Sequence, residues 1–184
     1  MAEFLGIITK EANKIETILE DLFSFVEDDE ITIEIHAIHP LLRKSVMMFY
    51  TTMKNQNITY SMNIEEEGSF LAVDDSKIRQ VFLHLIRNGV EAMPNGGDLL
   101  IATTSDGEKM IISITDSGPG IPTDSLPHVK DPFFTTKTYG TGMGLALVER
   151  IIKAHHGTFT IQDAPEGGTV ATISLPMSNA VNRK

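Results

Sequence analysis

Between a strand that ends at Asp116 and a helix that starts at Gly144, residues 117–143 show no hydrophobic periodicity and are rich in Gly, Pro and Thr. A stretch of this kind inside a compact domain is ordinarily a functional or mobile loop. It limits the fold because the segments around it are strongly patterned. Residues 99–104 and 110–115 alternate as strands joined through Asp106-Gly107, a hairpin signal. Residues 144–155 read as a helix, and residues 157–163 and 169–175 as a last hairpin.

The earlier half is patterned too. Ile31, Ile33 and Ile35 alternate with polar residues, which predicts a half-buried strand. Pro40 suits the first turn of a helix running to about Asn55. Residues 58–64 and 70–73 read as two further strands. Asp74, Asp75 and Ser76 can cap a helix that runs to about Met93, where Pro94-Asn-Gly-Gly97 breaks it. The sum is a two-layer α/β sandwich of a mixed sheet and about three helices. Strand and helix do not alternate strictly, which argues against a doubly wound fold.

Residues 4–26 predict one long helix ahead of this domain. Leu5, Ile8, Ala12, Ile15, Leu19, Leu22 and Val26 recur at alternating steps of three and four. Such a seam needs a partner helix. The boundaries are a helix at 1–27, the domain at 28–177 and a tail at 178–184 expected to be disordered. The 184 residues suffice for one domain plus an appendage. The chain has no cysteine, which excludes disulfides and thiol chemistry. Its net charge of −10 disfavours nucleic acid as a partner. The same charge opposes a polyanion, so any phosphate site must rely on local dipoles, a metal and individual cations.

Five spaced strings carry the chemistry: His84-Leu-Ile-Arg-Asn88-Gly-Val-Glu91-Ala92-Met93, Asp116-Ser-Gly118-Pro-Gly120, Pro132-Phe133-Phe134-Thr135-Thr136-Lys137, Gly140-Thr141-Gly142-Met143-Gly144-Leu145 and Gly167-Gly168-Thr169. Asn88 is a poor residue for a helix interior and needs a reason to be there. Asp116 continues an apolar strand, where an unpaired carboxylate is costly. Gly118 and Gly120 suit a sharp turn. The glycines at 140, 142 and 144 precede a helix start, where free amides and the dipole favour an anion. This spacing is neither the dinucleotide fingerprint nor the P-loop, which would also need its lysine.

Taken together, the order and spacing resemble the N, G1, F, G2 and G3 boxes of the catalytic and ATP-binding domain of bacterial sensor histidine kinases. The resemblance implies the Bergerat-type ATP fold, with ATP and Mg2+ as cofactors. It implies that Asn88 is a magnesium ligand and that Asp116 accepts the adenine amine, supported by Thr169. Phe134, Thr135, Thr136, Lys137, Gly140, Thr141, Gly142, Met143, Gly144 and Leu145 would complete the nucleotide site, with Lys137 facing phosphate. Phe133 and Phe134 would anchor one end of the loop in the apolar layer. His84, Asn88 and Lys137 are the catalytic candidates. For His84 two readings stand side by side, a polar contact to nucleotide or a half-buried histidine satisfied by the backbone. Many relatives carry a basic residue where Glu91 stands, so Glu91 is expected to orient water or cap a neighbour, and Arg87 is read at least as readily as a surface residue.

Residues 4–26 look like the second helix of the family's dimerisation and phosphoacceptor bundle. The implied partners are a histidine-bearing bundle, a response regulator and a second copy of the chain through that helix, and the implied location is cytoplasmic, in a free or a membrane-attached sensor. None of the six histidines sits in an acceptor-like helical context, so the acceptor is expected outside this chain. A nucleotide-binding module that transfers nothing is the rival. A gyrase-like machine ranks lower, because its group lacks the Pro-Phe-Phe-Thr-Thr-Lys string, and an anti-sigma serine kinase is disfavoured by the heptad helix.

Overall fold

The computed structural model describes residues 30–65, 70–137 and 140–177, together with positions 4, 12, 15, 19, 22 and 23. Those six positions are helical and exposed, and they include the seam residues Ala12, Ile15, Leu19 and Leu22. Leu5, Ile8 and Val26 of the seam, and the tail at 178–184, lie outside the described residues. Among the described residues no helix is long and apolar enough to cross a membrane.

The elements run β1 (Glu34–Ala37), α1 (Ile38–Met48), α2 (Tyr50–Asn55), β2 (Ile58–Ile64), β3 (Phe70–Val73), α3 (Asp75–Ala92), β4 (Gly97–Ser105), β5 (Lys109–Asp116), α4 (Gly144–Ala154), β6 (Thr158–Asp163) and β7 (Thr169–Pro176). A five-stranded sheet has the order β2-β4-β5-β7-β6, and β1 pairs with β3 beside it. The β2–β4 ladder is parallel and the other three are antiparallel. This is the expected mixed sheet.

Strand period explains which face is covered. Side chains two apart point the same way. Met110, Ile112 and Ile114 of β5 are buried, as are Leu99 and Ile101 of β4 and Ile173 and Leu175 of β7. Against them lie Ile78, Val81, Phe82, Leu85 and Ile86 of α3, Leu42 and Val46 of α1, and Leu147, Val148, Ile151 and Ile152 of α4. The helices cover one face, giving two layers around one core.

Two expectations need correction. The helix over 40–55 is in fact two, broken at Phe49 (φ −98, ψ 0), whose N–H folds back to the Val46 carbonyl at 3.0 Å. Tyr50, Thr51 and Thr52 are weak helix formers and do little to carry a helix through that break. The strand over Ile31 to Ile35 starts instead at Glu34, and Ile33 and Ile35 are 45% and 59% exposed. The register explains this. Glu34 faces Val73 and His36 faces Leu71, and cross-strand partners share a face. Leu71 and Val73 fill the core, so Ile35 falls on the outside with Phe70.

Candidate functional site

The inner-face register carries polar residues to one end of the sheet. After Met110, Ile112 and Ile114, the next inward side chain is Asp116, 8% exposed. Across the ladder it faces Thr169, and Asp163 faces Thr169 from the other side. The sheet therefore ends in a polar rim above the apolar residues Ile114, Ala171 and Ile161, all three of which line a cavity of about 770 Å³. That volume lies within the range of about 300–1,000 Å³ usual for small-molecule pockets.

The walls of the cavity come from α3, the 117–143 loop and the start of α4. His84, Asn88, Asp116, Gly120, Phe134, Thr135, Thr136, Lys137, Gly140, Thr141, Gly142, Gly144, Leu145 and Thr169 all line it. The structure thus brings these singled-out residues to one place. Gly118 and Met143 are not in its lining. The Gly118 N–H donates to Asp116 Oδ1 at 2.9 Å, which orients the carboxylate. Met143 is buried as the residue before α4.

Burial raises the Asp116 carboxyl above its ordinary range, and the Gly118 and Thr169 backbones and the Lys137 charge oppose that rise. A buried carboxylate at a cavity wall is poised to accept a hydrogen bond from whatever occupies the cavity. Glycine is required nearby. Gly168 has φ +92, and a Cβ there would collide with the Asp116 carbonyl oxygen.

Met143 gives the start of α4 no side-chain cap, and amides at a helix start, with the helix dipole, favour an anion. Gly142 (φ +67) packs so tightly against the Phe133 and Phe134 backbones that any Cβ would strike them. The Phe133 N–H donates to the Gly142 carbonyl at 3.0 Å. Phe133 itself has φ +68 and is 66% exposed, which corrects the expectation that both phenylalanines anchor the loop. The left-handed turn at Phe133 separates the two side chains, so Phe134 enters the wall, its ring 5.8 Å from that of His128, while Phe133 faces out. The His84 imidazole lies against α4, where a Cβ on Gly144 would come within 3.1 Å of its Nδ1.

Lys137 does not stand apart in the cavity. Its Nζ donates to Asn88 Oδ1 at 3.0 Å and to Glu91 Oε2 at 2.5 Å. Glu91, expected to orient water or cap a neighbour, holds the Lys137 ammonium. Arg87, expected at least as readily on the surface, is half-buried and lines the cavity. Further back, Lys130 ties the loop to the body of the domain through Glu149 Oε2 (2.9 Å), the Phe159 carbonyl (2.6 Å) and the Phe159 ring. The sequence reading missed the apolar walls Ile114, Ile121, Val129, Ile161 and Ala171. Counting by twos from Asp116 and Thr169 would have found Ile114 and Ala171.

A model of histidine kinase-, DNA gyrase B- and HSP90-like ATPases matches residues 73–179, more than half of the chain. The chain belongs to this family. Curated relatives are similar to it over nearly all its length. Sporulation kinase C of Bacillus subtilis is 32% identical over 96% of the chain and 42% of its own length. Sporulation kinase A of the same organism is 33% identical over 94% of the chain and 29% of its own length. The chain thus spans less than half the length of these curated relatives. The catalytic domain of histidine kinase ThkA superposes with a TM-score of 0.73 at 28% identity, over 79% of this chain and 96% of that one. The matched region contains α3, β5, the loop, α4, β6 and β7, every element that lines the cavity. The family is one of ATPases, so ATP is the nucleotide it implies.

Proposed function

We propose that residues 28–177 are the ATP-binding catalytic domain of a sensor histidine kinase, which passes the ATP γ-phosphoryl group to a histidine on a helical bundle for relay to a response regulator. The observation that carries this is the buried Asp116 carboxylate, oriented by Gly118 at the edge of an apolar cavity. Adenine offers the matching chemistry, an exocyclic amine on an apolar ring. Thr169 supports that contact from the paired strand. Ile114, Ile161, Ala171 and Phe134 enclose the base, and the amides from Gly140 to Gly144 with Thr135, Thr136 and Lys137 receive the phosphates.

Asn88 would hold the magnesium ion, and its side-chain oxygen already accepts from an ammonium group, which fits a cation there. One amide oxygen is enough, because magnesium fills most of its shell with water and phosphate. When bound, the ion supplies charge neutralisation to the phosphates. The chain's own residues then position the nucleotide and exclude water, the main demands of phosphoryl transfer. The acceptor imidazole is the nucleophile, so no strong general base is needed.

The six histidines of this chain are poorly placed as acceptors. His39 and His155 are buried, His84 lines the cavity, His36 lies on β1 beside Glu34, His128 pairs with Asp131 in the loop and His156 holds a left-handed turn. The test is incubation with γ-labelled Mg·ATP, alone and with an isolated histidine-bearing helical bundle of a sensor histidine kinase. Label on the bundle and none on the chain is the expected result. Nucleotide binding without label on the bundle would reduce the chain to a binding module. Acid-labile label on the chain itself would place the acceptor among the six histidines.

A further inference from the structure

Asn88 and Glu91 are three residues apart on α3 and so share a face. A single nitrogen, Lys137 Nζ, sits 3.0 Å from Asn88 Oδ1 and 2.5 Å from Glu91 Oε2. The two oxygens therefore converge on one cation-sized position at the cavity wall, and in this structure a side chain of the protein fills it. We propose that Asn88 and Glu91 together form the cation-binding pair of this site, and that the Lys137 ammonium occupies it in place of the divalent metal, so that lysine and metal exclude each other there.

The inference rests on the reading of Asn88 as a metal ligand and goes beyond it in two ways. First, it gives Glu91 a role. An isolated Lys–Glu pair this exposed contributes little to stability. Sharing the lysine with Asn88, in the wall of the cavity, is what an ordinary surface pair lacks. A carboxylate beside a neutral amide oxygen also supplies the negative charge that a hard cation requires.

Second, it sets an order of events. Two cations cannot share the same pair of oxygens, since like charges at contact distance repel strongly. Metal alone must displace Lys137 into solvent. Metal arriving with a triphosphate brings new anionic partners for the lysine, which can then leave Glu91 and Asn88 to the metal. The site would thus take up the metal–nucleotide complex in preference to free metal. The negative net charge would otherwise favour stray divalent cations, and the tethered ammonium opposes them.

The test is titration of the nucleotide-free chain with Mn2+, reading free Mn2+ by electron paramagnetic resonance. Lys137→Met should tighten Mn2+ binding about tenfold or more, the scale expected when a charge-assisted contact to the site is removed. Adding Glu91→Gln to that variant should reverse the gain. Lys153→Gln, which removes the same charge from the exposed side of α4, should bind as the parent does. Equal Mn2+ affinity in the parent and Lys137→Met overturns the inference. So does a gain that survives Glu91→Gln, or an equal gain in Lys153→Gln. Calorimetry of Mg·ATP binding to Asn88→Ala separates the two levels. Loss of binding there, with a flat Lys137 series, removes this inference and leaves the proposed function standing. Unchanged binding there removes both.

Discussion

The Asp74 backbone N–H donates to His155 Nε2 at 3.0 Å, tying the start of α3 to the end of α4. His155 Nδ1 lies 2.8 Å from the Ile151 carbonyl, which can only accept. The Nδ1 therefore carries the proton and the ring is neutral. These are the two helices that flank the cavity, so one histidine fixes their relation. The helix read over residues 144–155 closes at His155, whose ring meets a helix carbonyl one turn back, near the C-terminal dipole.

Stability should fall in mild acid because of this ring. Burial holds the His155 pKa below its ordinary value of 6.5, against the Ile151 carbonyl and the Asp74 charge. The unfolded chain therefore takes up the proton first as pH drops. The contribution is complete above 6.5 and is lost as pH falls from there toward the folded value, at up to about 1.4 kcal/mol per pH unit. Urea unfolding at pH 7.5 and 5.5 should show a smaller loss for His155→Gln than for the parent. Identical pH slopes in the two chains would exclude the neutral-ring account.

The Asp74 carboxylate caps α3 and holds the approach to β1. Its Oδ1 accepts from the Ser76 and Lys77 amides and the Ser76 hydroxyl, and its Oδ2 accepts from the Thr32 amide. Burial works to raise its pKa, but these donors win and bring it to about 2. Its contribution is thus present above 3.8 and is lost as pH falls toward 2. Asp74→Ala should cost about 2–3 kcal/mol at neutral pH, a lost cap plus an orphaned amide. A denaturation midpoint within error of the parent would show that the cap is dispensable.

Asp116 should show the opposite sign. Its carboxyl is raised, chiefly by burial, so its favourable contribution belongs to the protonated form. That contribution is complete below 3.8 and is lost as pH rises through the folded value. At neutral pH the charged group is a burden to the fold. Asp116→Asn keeps an acceptor for Gly118 and removes the charge. It should raise the thermal midpoint of the nucleotide-free chain while weakening ATP binding about tenfold or more, the scale of a hydrogen bond to a charged group. A lower midpoint with unchanged affinity would assign Asp116 to the fold rather than to the site.

How much could be read from the sequence follows the range of the interactions. Strands β2 and β3 began and ended where alternation put them, because period two is local. The five strings converge on one cavity because glycines, caps and strand ends are local signals too. The outward turn of Ile35 was not legible, since it depends on pairing with β3 in one register rather than another. The divergence of Phe133 from Phe134 depends on a left-handed residue locked by Gly142 from the next string. The Lys137 pairing joins positions 49 apart in sequence, and no periodicity encodes that.

Lys130 was passed over in the sequence and should matter to the loop. Its ammonium meets Glu149 of α4 and the Phe159 carbonyl of β6, so it fixes the loop to both elements behind the cavity. Burial would raise the Glu149 pKa, but the two flanking lysines, Lys153 and Lys130, hold it below its ordinary value. The pair is partly sheltered, with side-chain exposures of 33% and 22%, so its coupling should exceed that of a fully exposed pair and reach about 1 kcal/mol in a double-mutant cycle with Glu149→Gln. Lys130→Met should speed protease cleavage within residues 121–137 and weaken ATP binding a few-fold. The global unfolding midpoint should move little, because the core helices and sheet do not depend on the loop. If cleavage and affinity match the parent, the loop is held by Phe134 and Gly142 alone, and the Lys130 contacts are incidental to the site.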